Sequence, residues 1–293
     1  MELRVLRYFL AVAREETISG AAEAVHVTQP TLSRQMMDLE KELGKTLFLR
    51  GKRRISLTEE GMFLRKRAQE IVGLVEKTES EFSAPEANIS GDVYIGGGET
   101  DAMRLIVRAA HRLQAAHPHI AYHLFSGNAE DVAERLDKGL VDFGVFIGSA
   151  DLSKYDFIKL PVADSWGVLM RKDSPLAAKQ TIRPEDLLGL PIISSRQPMV
   201  RNEISGWMGD GFEKLRIIAT YNLLYNASLI VEEGMGYALC LDKIIRTSGD
   251  GPLCFRPLEP RLEIGLHIVW KKYQIFSRAA AKFLESLQQE FLE

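Results

Sequence analysis

Hydrophobic positions in the first eighty residues recur mostly at helical spacing. Leu3, Leu6, Phe9, Leu10 and Ala13 share one face and predict an amphipathic helix over 3–15. Ser19 is placed to cap a short second helix over 20–25, whose Ala21 and Ala22 allow close packing. His26-Val27-Thr28 then reads as a turn, with Thr28 as the N-cap of a third helix. Pro30 is tolerated there because a first-turn N–H has no intrahelical partner to lose. Leu32, Met36, Leu39 and Leu43 form the inward stripe of this helix, Pro30, Arg34, Met37 and Lys41 the outward one, and Gly44 ends it. Residues 47–49 and 55–57 read as two short strands flanking the basic turn RGKRR, 50–54. From Leu64 through Ala68, Ile71, Val75, Thr78 and Phe82 the spacing alternates four and three, the heptad period of a coiled-coil seam. A helix over 58–82 spans about 37 Å at a rise of ~1.5 Å per residue, and Pro85 closes it.

From residue 90 the pattern alternates between strand and helix. Strands at 92–96, 120–125 and 143–147 and helices at 101–116 and 129–139 make a βαβαβ unit, which predicts a parallel sheet. A second set follows, with strands at 166–170, 191–194, 217–221 and 237–241 and helices near 184–188, 203–209 and 224–233. A last strand at 264–271 and an amphipathic helix over 277–292 complete the chain. Two similar lobes joined twice, with crossovers near Pro161 and His267, describe a periplasmic-binding-protein-like α/β domain.

Composition adds a division of labour. At 46% apolar and 26% charged, the 293 residues suit a chain with sizeable cores and exclude disorder over most of the length. The net charge of −3 is unevenly spread: residues 1–67 hold 13 Lys and Arg against 9 Asp and Glu, leaving 24 against 31 beyond. Such an asymmetry sends the small N-terminal part to a polyanion. Gln29 can pair with an adenine edge and Arg34 with a guanine edge, while Thr31 and Ser33 reach phosphates or bases from the same helix start, which Pro30 shapes. Arg50, Lys52, Arg53 and Arg54 lie beside the backbone as a wing.

Other chemistries find less support. Gly96-Gly97-Gly98-Glu99-Thr100-Asp101 does not continue as a dinucleotide-binding fingerprint and has no P-loop lysine. No GxSxG or HExxH occurs, and His111, His117, His119 and His123 have no cysteine to complete a zinc set. Cys240 and Cys254 form no CxxC pair, and no apolar run is long enough to span a membrane. The expectation is a cytoplasmic protein without enzymatic activity, resident metal or cofactor. The alternative, a cytoplasmic solute-binding protein or enzyme whose N-terminal helices only dimerise it, leaves the basic wing unexplained.

From Leu6 to Gly61 the chain resembles the winged helix-turn-helix of the LysR-type bacterial transcriptional regulators. Ala21-Ala22, Gln29-Pro30-x-x-Ser33-Arg34, Leu39-Glu40, Leu43-Gly44, Leu47-Phe48-x-Arg50 and Leu57-Thr58-x-x-Gly61 appear in the family's order. The resemblance implies a DNA-binding domain over 1–58, a dimerisation helix over 59–82, a hinge at 83–89 and an effector-binding domain over 90–293. Lobe 1 then spans about 90–161 and 268–293, and lobe 2 about 162–267. It also implies pairing through Leu64, Ala68, Ile71, Val75 and Phe82, tetramers through the C-terminal domains, a pseudo-palindromic double-stranded operator and RNA polymerase as a further partner. A small-molecule effector sits between the lobes at the carboxyl ends of strands. That position selects Glu99, Thr100, Asn128, Ser195 and Asn222, with Thr100 and Asn128 where the family commonly holds effector. Glu99 and Asp101 beside this site repel an anion unless Arg196 or Arg201 compensates. The effector is therefore expected to be neutral or to carry an amino group facing Glu99, unless both acids merely cap the helix dipole.

Overall fold

Helix α1 (Leu3–Glu15) buries Val5, Leu6, Phe9, Ala11 and Val12, and this apolar face is the floor on which the N-terminal unit is built. The computed structural model describes residues 1–51, 54–83, 89–148 and 151–291, and the chain divides into Met1–Ser83 and Ala84–Glu293. In the first unit α2 (Ile18–Ala24) starts before the expected position. Thr17, not Ser19, caps it, its Oγ1 accepting from the Gly20 amide at 3.1 Å. Helix α3 (Gln29–Leu43) ends at Gly44, whose φ of 63° is the left-handed conformation a helix C-terminus favours. Leu32, Met36 and Leu39 are buried, but Leu43 is 39% exposed and falls outside the inward stripe.

Strands β1 (Phe48–Arg50) and β2 (Ile55–Leu57) pair antiparallel as the wing. Lys52 and Arg53, predicted at its tip, lie outside the described residues. Phe48 returns to the core against Phe9, ring centroids 5.3 Å apart. Helix α4 (Glu59–Ser83) starts where Thr58 Oγ1 accepts from the Gly61 amide at 2.9 Å and donates to the Thr46 carbonyl at 2.7 Å. Its first half corrects the predicted seam. Leu64 and Ala68, with Val72, are buried in the core that α1 and α3 form. Side chains four apart lie on one face of any helix, so this stripe serves the unit's own core. The apolar side chains left facing outward include Ile71, Leu74 and Phe82, the last 87% exposed, while Val75 is half-buried.

The second unit opens with β3 (Gly91–Gly97), α5 (Met103–Ala116), β4 (Ile120–Ser126), α6 (Ala129–Asp137) and β5 (Phe143–Ile147). It continues through β6 (Tyr155–Arg171), β7 (Pro191–Ser195), α7 (Pro198–Met208), β8 (Arg216–Tyr221) and α8 (Leu224–Glu232). Strands β9 (Tyr237–Leu241), β10 (Leu253–Pro257) and β11 (Glu263–Lys271) precede α9 (Arg278–Phe291). The strand order is β4-β3-β5-β11-β6-β9-β7-β8, with β10 on β6.

Strands β3, β4 and β5 are parallel, as are β7, β8 and β9, but the sheet is mixed rather than wholly parallel. Strand β11 runs antiparallel to β5 and β6, and β6 antiparallel to β9 and β10. The 17-residue β6 serves both lobes. Its pairing with β11 shifts between Lys159↔His267 and Ala163↔Gly265. Pro161, without an amide to give the ladder, lies in that gap. Helix α9 returns to lobe 1, where Phe283 meets Phe143 at 5.4 Å and Tyr122 at 5.6 Å. Lobe 2 closes over Val168, Met170, Ile192 and Leu239. The segment near 184–188 is a single 3-10 turn, Pro184–Leu187, rather than an α-helix.

Candidate functional site

At the start of α3 the side chains of Gln29, Pro30, Thr31 and Arg34 are exposed and Ser33 is half-buried. Thr28 caps the helix without a side-chain hydrogen bond to its amides; its Oγ1 meets Thr31 Oγ1 at 2.8 Å instead. Arg34 Nε stands 3.9 Å from Asp38 Oδ2, and with the side chains 81% and 62% exposed this pair holds the guanidinium only weakly. An uncapped, positively flanked helix start of this kind suits phosphate oxygens and base edges.

The wing is fastened to both neighbouring helices. Glu40 of α3 accepts from the amides of Leu47 at 2.7 Å and Phe48 at 3.2 Å through Oε1. The Ile55 amide donates to the Glu16 carbonyl at 2.8 Å, and Arg54 Nη1 pairs with Glu16 Oε2 at 3.0 Å. Arg50 ends β1, opposite Ile55. Glu16, Glu40 and Thr58 thus set the angle between recognition helix and wing. In the sequence Glu40 and Thr58 are only motif letters, because hydrophobic patterning does not show which backbone groups a polar side chain meets.

In the second unit a cavity of about 70 Å³ lies between the lobes. Glu99, Asn128, Ser195 and Asn222 line it, four of the five expected residues. Thr100 does not. Its hydroxyl donates to Asp164 Oδ2 and accepts from the Ala102 amide at 3.0 Å, so it ties the loop after β3 to β6. Asn128 and Asp131 cap α6 reciprocally, at 2.9 and 3.2 Å.

The two neighbouring acids have different roles. Asp101 pairs with Arg104 at 2.9 Å. The Glu99 carboxylate reaches across the cleft and accepts from the Leu224 amide at the start of α8. Neither suggested compensating cation lines the cavity: Arg196 is exposed, and Arg201 pairs with Glu213 at 3.7 Å.

Several lining residues escaped the sequence reading. Glu203 Oε2 accepts from Trp166 Nε1 at 3.2 Å, and Gln197 Oε1 accepts from the Ala129 amide at 3.4 Å. Tyr221 donates its hydroxyl to the Leu239 carbonyl at 2.7 Å. Burial pushes the Glu203 carboxyl above the ordinary carboxylate range, against the opposing Trp166 hydrogen bond. Asp164 moves up by the same cause, opposed by Thr100. The helix predicted near 203–209 begins at Pro198, and Glu203 meets Trp166, 37 residues away, a pairing that local pattern does not show.

A family model described as the LysR substrate binding domain matches residues 86–292, and one described as a bacterial regulatory helix-turn-helix protein, lysR family, matches 3–62. The chain belongs to the LysR family. It is a DNA-binding transcriptional regulator that self-associates and is modulated by a small molecule bound between its α/β lobes. Among curated relatives of this LysR regulator, the SDS degradation transcriptional activation protein of a Pseudomonas species is 30% identical, covering 95% of this chain and 90% of the relative. The Hca operon transcriptional activator HcaR of Escherichia coli is 27% identical, covering 93% and 92%. The crystal structure of CbnR, a LysR family regulator, shares the fold with a TM-score of 0.80 at 19% identity over 99% of both chains. No helix among the described residues is long and apolar enough to cross a membrane.

Proposed function

We propose that this regulator reads its operator with Gln29, Pro30, Thr31, Ser33 and Arg34 in the major groove, while Arg50, Lys52, Arg53 and Arg54 lie along the phosphates. The observation that carries the reading is the exposed, uncapped start of α3, fixed through Glu40 to the basic wing. Residues 1–58 form the DNA-binding domain, and the exposed apolar side of α4, with Ile71, Val75 and Phe82, pairs two copies over 59–82. Beyond the hinge at 83–89, residues 90–293 sense the effector at Glu99, Asn128, Ser195 and Asn222. The protein acts in the cytoplasm as a regulator and not as an enzyme, and it uses no cofactor besides the effector.

The test selects bound sites from a random duplex library and titrates the selected duplex at several salt concentrations. Counterion release makes log K fall linearly with log salt. Arg34→Ala should cost about 1–3 kcal/mol, roughly ten- to a hundredfold, and relax the preference at one base pair. Unchanged affinity and unchanged sequence preference in Arg34→Ala would remove α3 from the groove.

A further inference from the structure

Two acids, Glu99 from lobe 1 and Glu203 from lobe 2, line the cleft, and among the described residues no Lys, Arg or His lines it. Three backbone donors that would welcome an anion are already engaged by the protein itself. The Leu224 amide, at the start of α8, gives its hydrogen to Glu99. At the start of α6 the Ala129 amide faces Gln197 Oε1 and the Asp131 amide faces Asn128 Oδ1. A carboxylate ligand therefore meets two acids in a half-buried site and displaces a protein acceptor if it takes any of these three amides.

The remaining polar groups point the other way. Glu203 gives one oxygen to Trp166. A Cβ on Gly148 would lie 2.8 Å from its other oxygen, Oε1, so the glycine keeps space open beside it. Asn128 is only 9% exposed and lines the cavity. Its Oδ1 caps α6, and its Nδ2 has no hydrogen-bond partner among the described residues. The lining thus offers carboxylates that favour a positive charge and an amide donor that can meet a ligand oxygen.

We infer that the cleft binds a small amine, cationic at neutral pH, that also carries an uncharged hydrogen-bond acceptor such as a hydroxyl, with Glu99 and Glu203 holding the ammonium group and Asn128 the oxygen. The inference rests on the reading of this cleft as the effector site. Burial disfavours the charged Glu203 carboxylate, and a bound ammonium restores a partner for it. The 70 Å³ volume limits the ligand to few heavy atoms unless the lobes part.

Matched probes decide the matter on the full-length protein by isothermal titration calorimetry at neutral pH. The pairs are 4-amino-1-butanol against 4-hydroxybutyrate and n-butylamine against butyrate. The amines should bind saturably, at least about tenfold tighter than their carboxylate partners. The amino alcohol should also bind more tightly than butylamine. Glu203→Gln and Glu99→Gln keep an acceptor for Trp166 and for the Leu224 amide while removing charge. Each should weaken amine binding about tenfold or more, as loss of a charge-assisted hydrogen bond does.

Three results overturn the inference: carboxylates binding as tightly as amines, no saturable heat from either amine through the millimolar range, or full amine affinity in both glutamine variants. The wild-type comparison of amine with carboxylate needs no variant to fold. Carboxylate binding that Ser195→Phe abolishes would overturn the charge assignment and leave the cleft as the ligand site. Amine binding untouched by Ser195→Phe and by both glutamine variants would place the ligand elsewhere and overturn the cleft reading as well.

Discussion

Replacing Glu40 with alanine tests whether one side chain joins the recognition helix to the wing. Glu40 Oε1 accepts two amides, Leu47 at 2.7 Å and Phe48 at 3.2 Å. Both donors belong to residues that are 2% and 6% exposed, so solvent cannot readily replace the carboxylate. A hydrogen bond to a charged acceptor contributes about 1.5–3 kcal/mol and an ordinary one about 0.5–1.5 kcal/mol. Taking the short bond as the first kind and the longer as the second gives roughly 2–4.5 kcal/mol. Alanine returns at most ~0.7 kcal/mol through helix propensity, so a net loss of about 1.3–4 kcal/mol is expected.

All three tryptophans, Trp166, Trp207 and Trp270, lie in the second unit, so tryptophan fluorescence does not report on this change. Hydrogen exchange of the Leu47 and Phe48 amides in the full-length protein does. Glu40→Ala should accelerate their exchange at least about tenfold, the factor that ~1.3 kcal/mol represents at ~1.4 kcal/mol per tenfold. Glu40→Gln, which keeps an acceptor without charge, should fall between. Exchange within threefold of wild type in Glu40→Ala would refute the reasoning, because the wing would then be held by β-pairing and Phe48 packing alone.

Two further outcomes follow from close approach and from burial. A Cβ on Gly61 would lie 2.2 Å from the Leu47 carbonyl oxygen, a backbone atom with little room to move. Gly61→Ala should therefore destabilise the N-terminal unit by roughly 1–3 kcal/mol of overpacking, against the ~1 kcal/mol of helix propensity it gains; unimpaired exchange protection across α4 would contradict this. The second outcome concerns pH. Glu203 has its carboxyl raised by burial, so the proton it holds stabilises the fold below the ordinary carboxylate range. That stability disappears as pH rises through the elevated value. Glu203→Gln should accordingly melt higher than wild type at neutral pH, with the gain vanishing on acidification, and a gain that grows toward acid would show that the sign is wrong.

The periodicity of α1 and α3 was readable because one face of each packs on a core inside the same short segment. The wing was readable because two three-residue apolar runs bracket a basic turn. The role of α4 was readable only in part: four-residue spacing serves a coiled-coil seam and intradomain packing equally well, and Leu64 and Ala68 are used by the latter. The polarity of β6 and β11 could not be read, since side chains alternate in the same way in parallel and antiparallel strands. Thr100 stands where the family resemblance places a ligand contact, yet Asp164, 64 residues away, takes its hydroxyl. Glu203 and Trp166 meet across 37 residues that include a 3-10 turn and a strand. Local pattern recovers elements, whereas the cleft depends on pairs such as these, which lie far apart in the chain.

The Glu99 carboxylate gives this cleft a property that depends on the sign of its ligand's charge. It joins the loop after β3 in lobe 1 to the start of α8 in lobe 2, and so contributes to holding the lobes together without any ligand. A cation placed between Glu99 and Glu203 leaves that bridge intact and gives both carboxylates a shared partner, so it favours the closed arrangement. An anion competes with Glu99 for the Leu224 amide and favours parting of the lobes. A ligand can shift an equilibrium only by its differential affinity for the two arrangements. Coupling to operator binding must obey the same constraint in both directions, with DNA changing ligand affinity by the factor that ligand changes DNA affinity. The charge that the cleft accepts therefore determines which arrangement of the lobes the bound state populates, and Glu99→Gln, by weakening the bridge, moves both equilibria together.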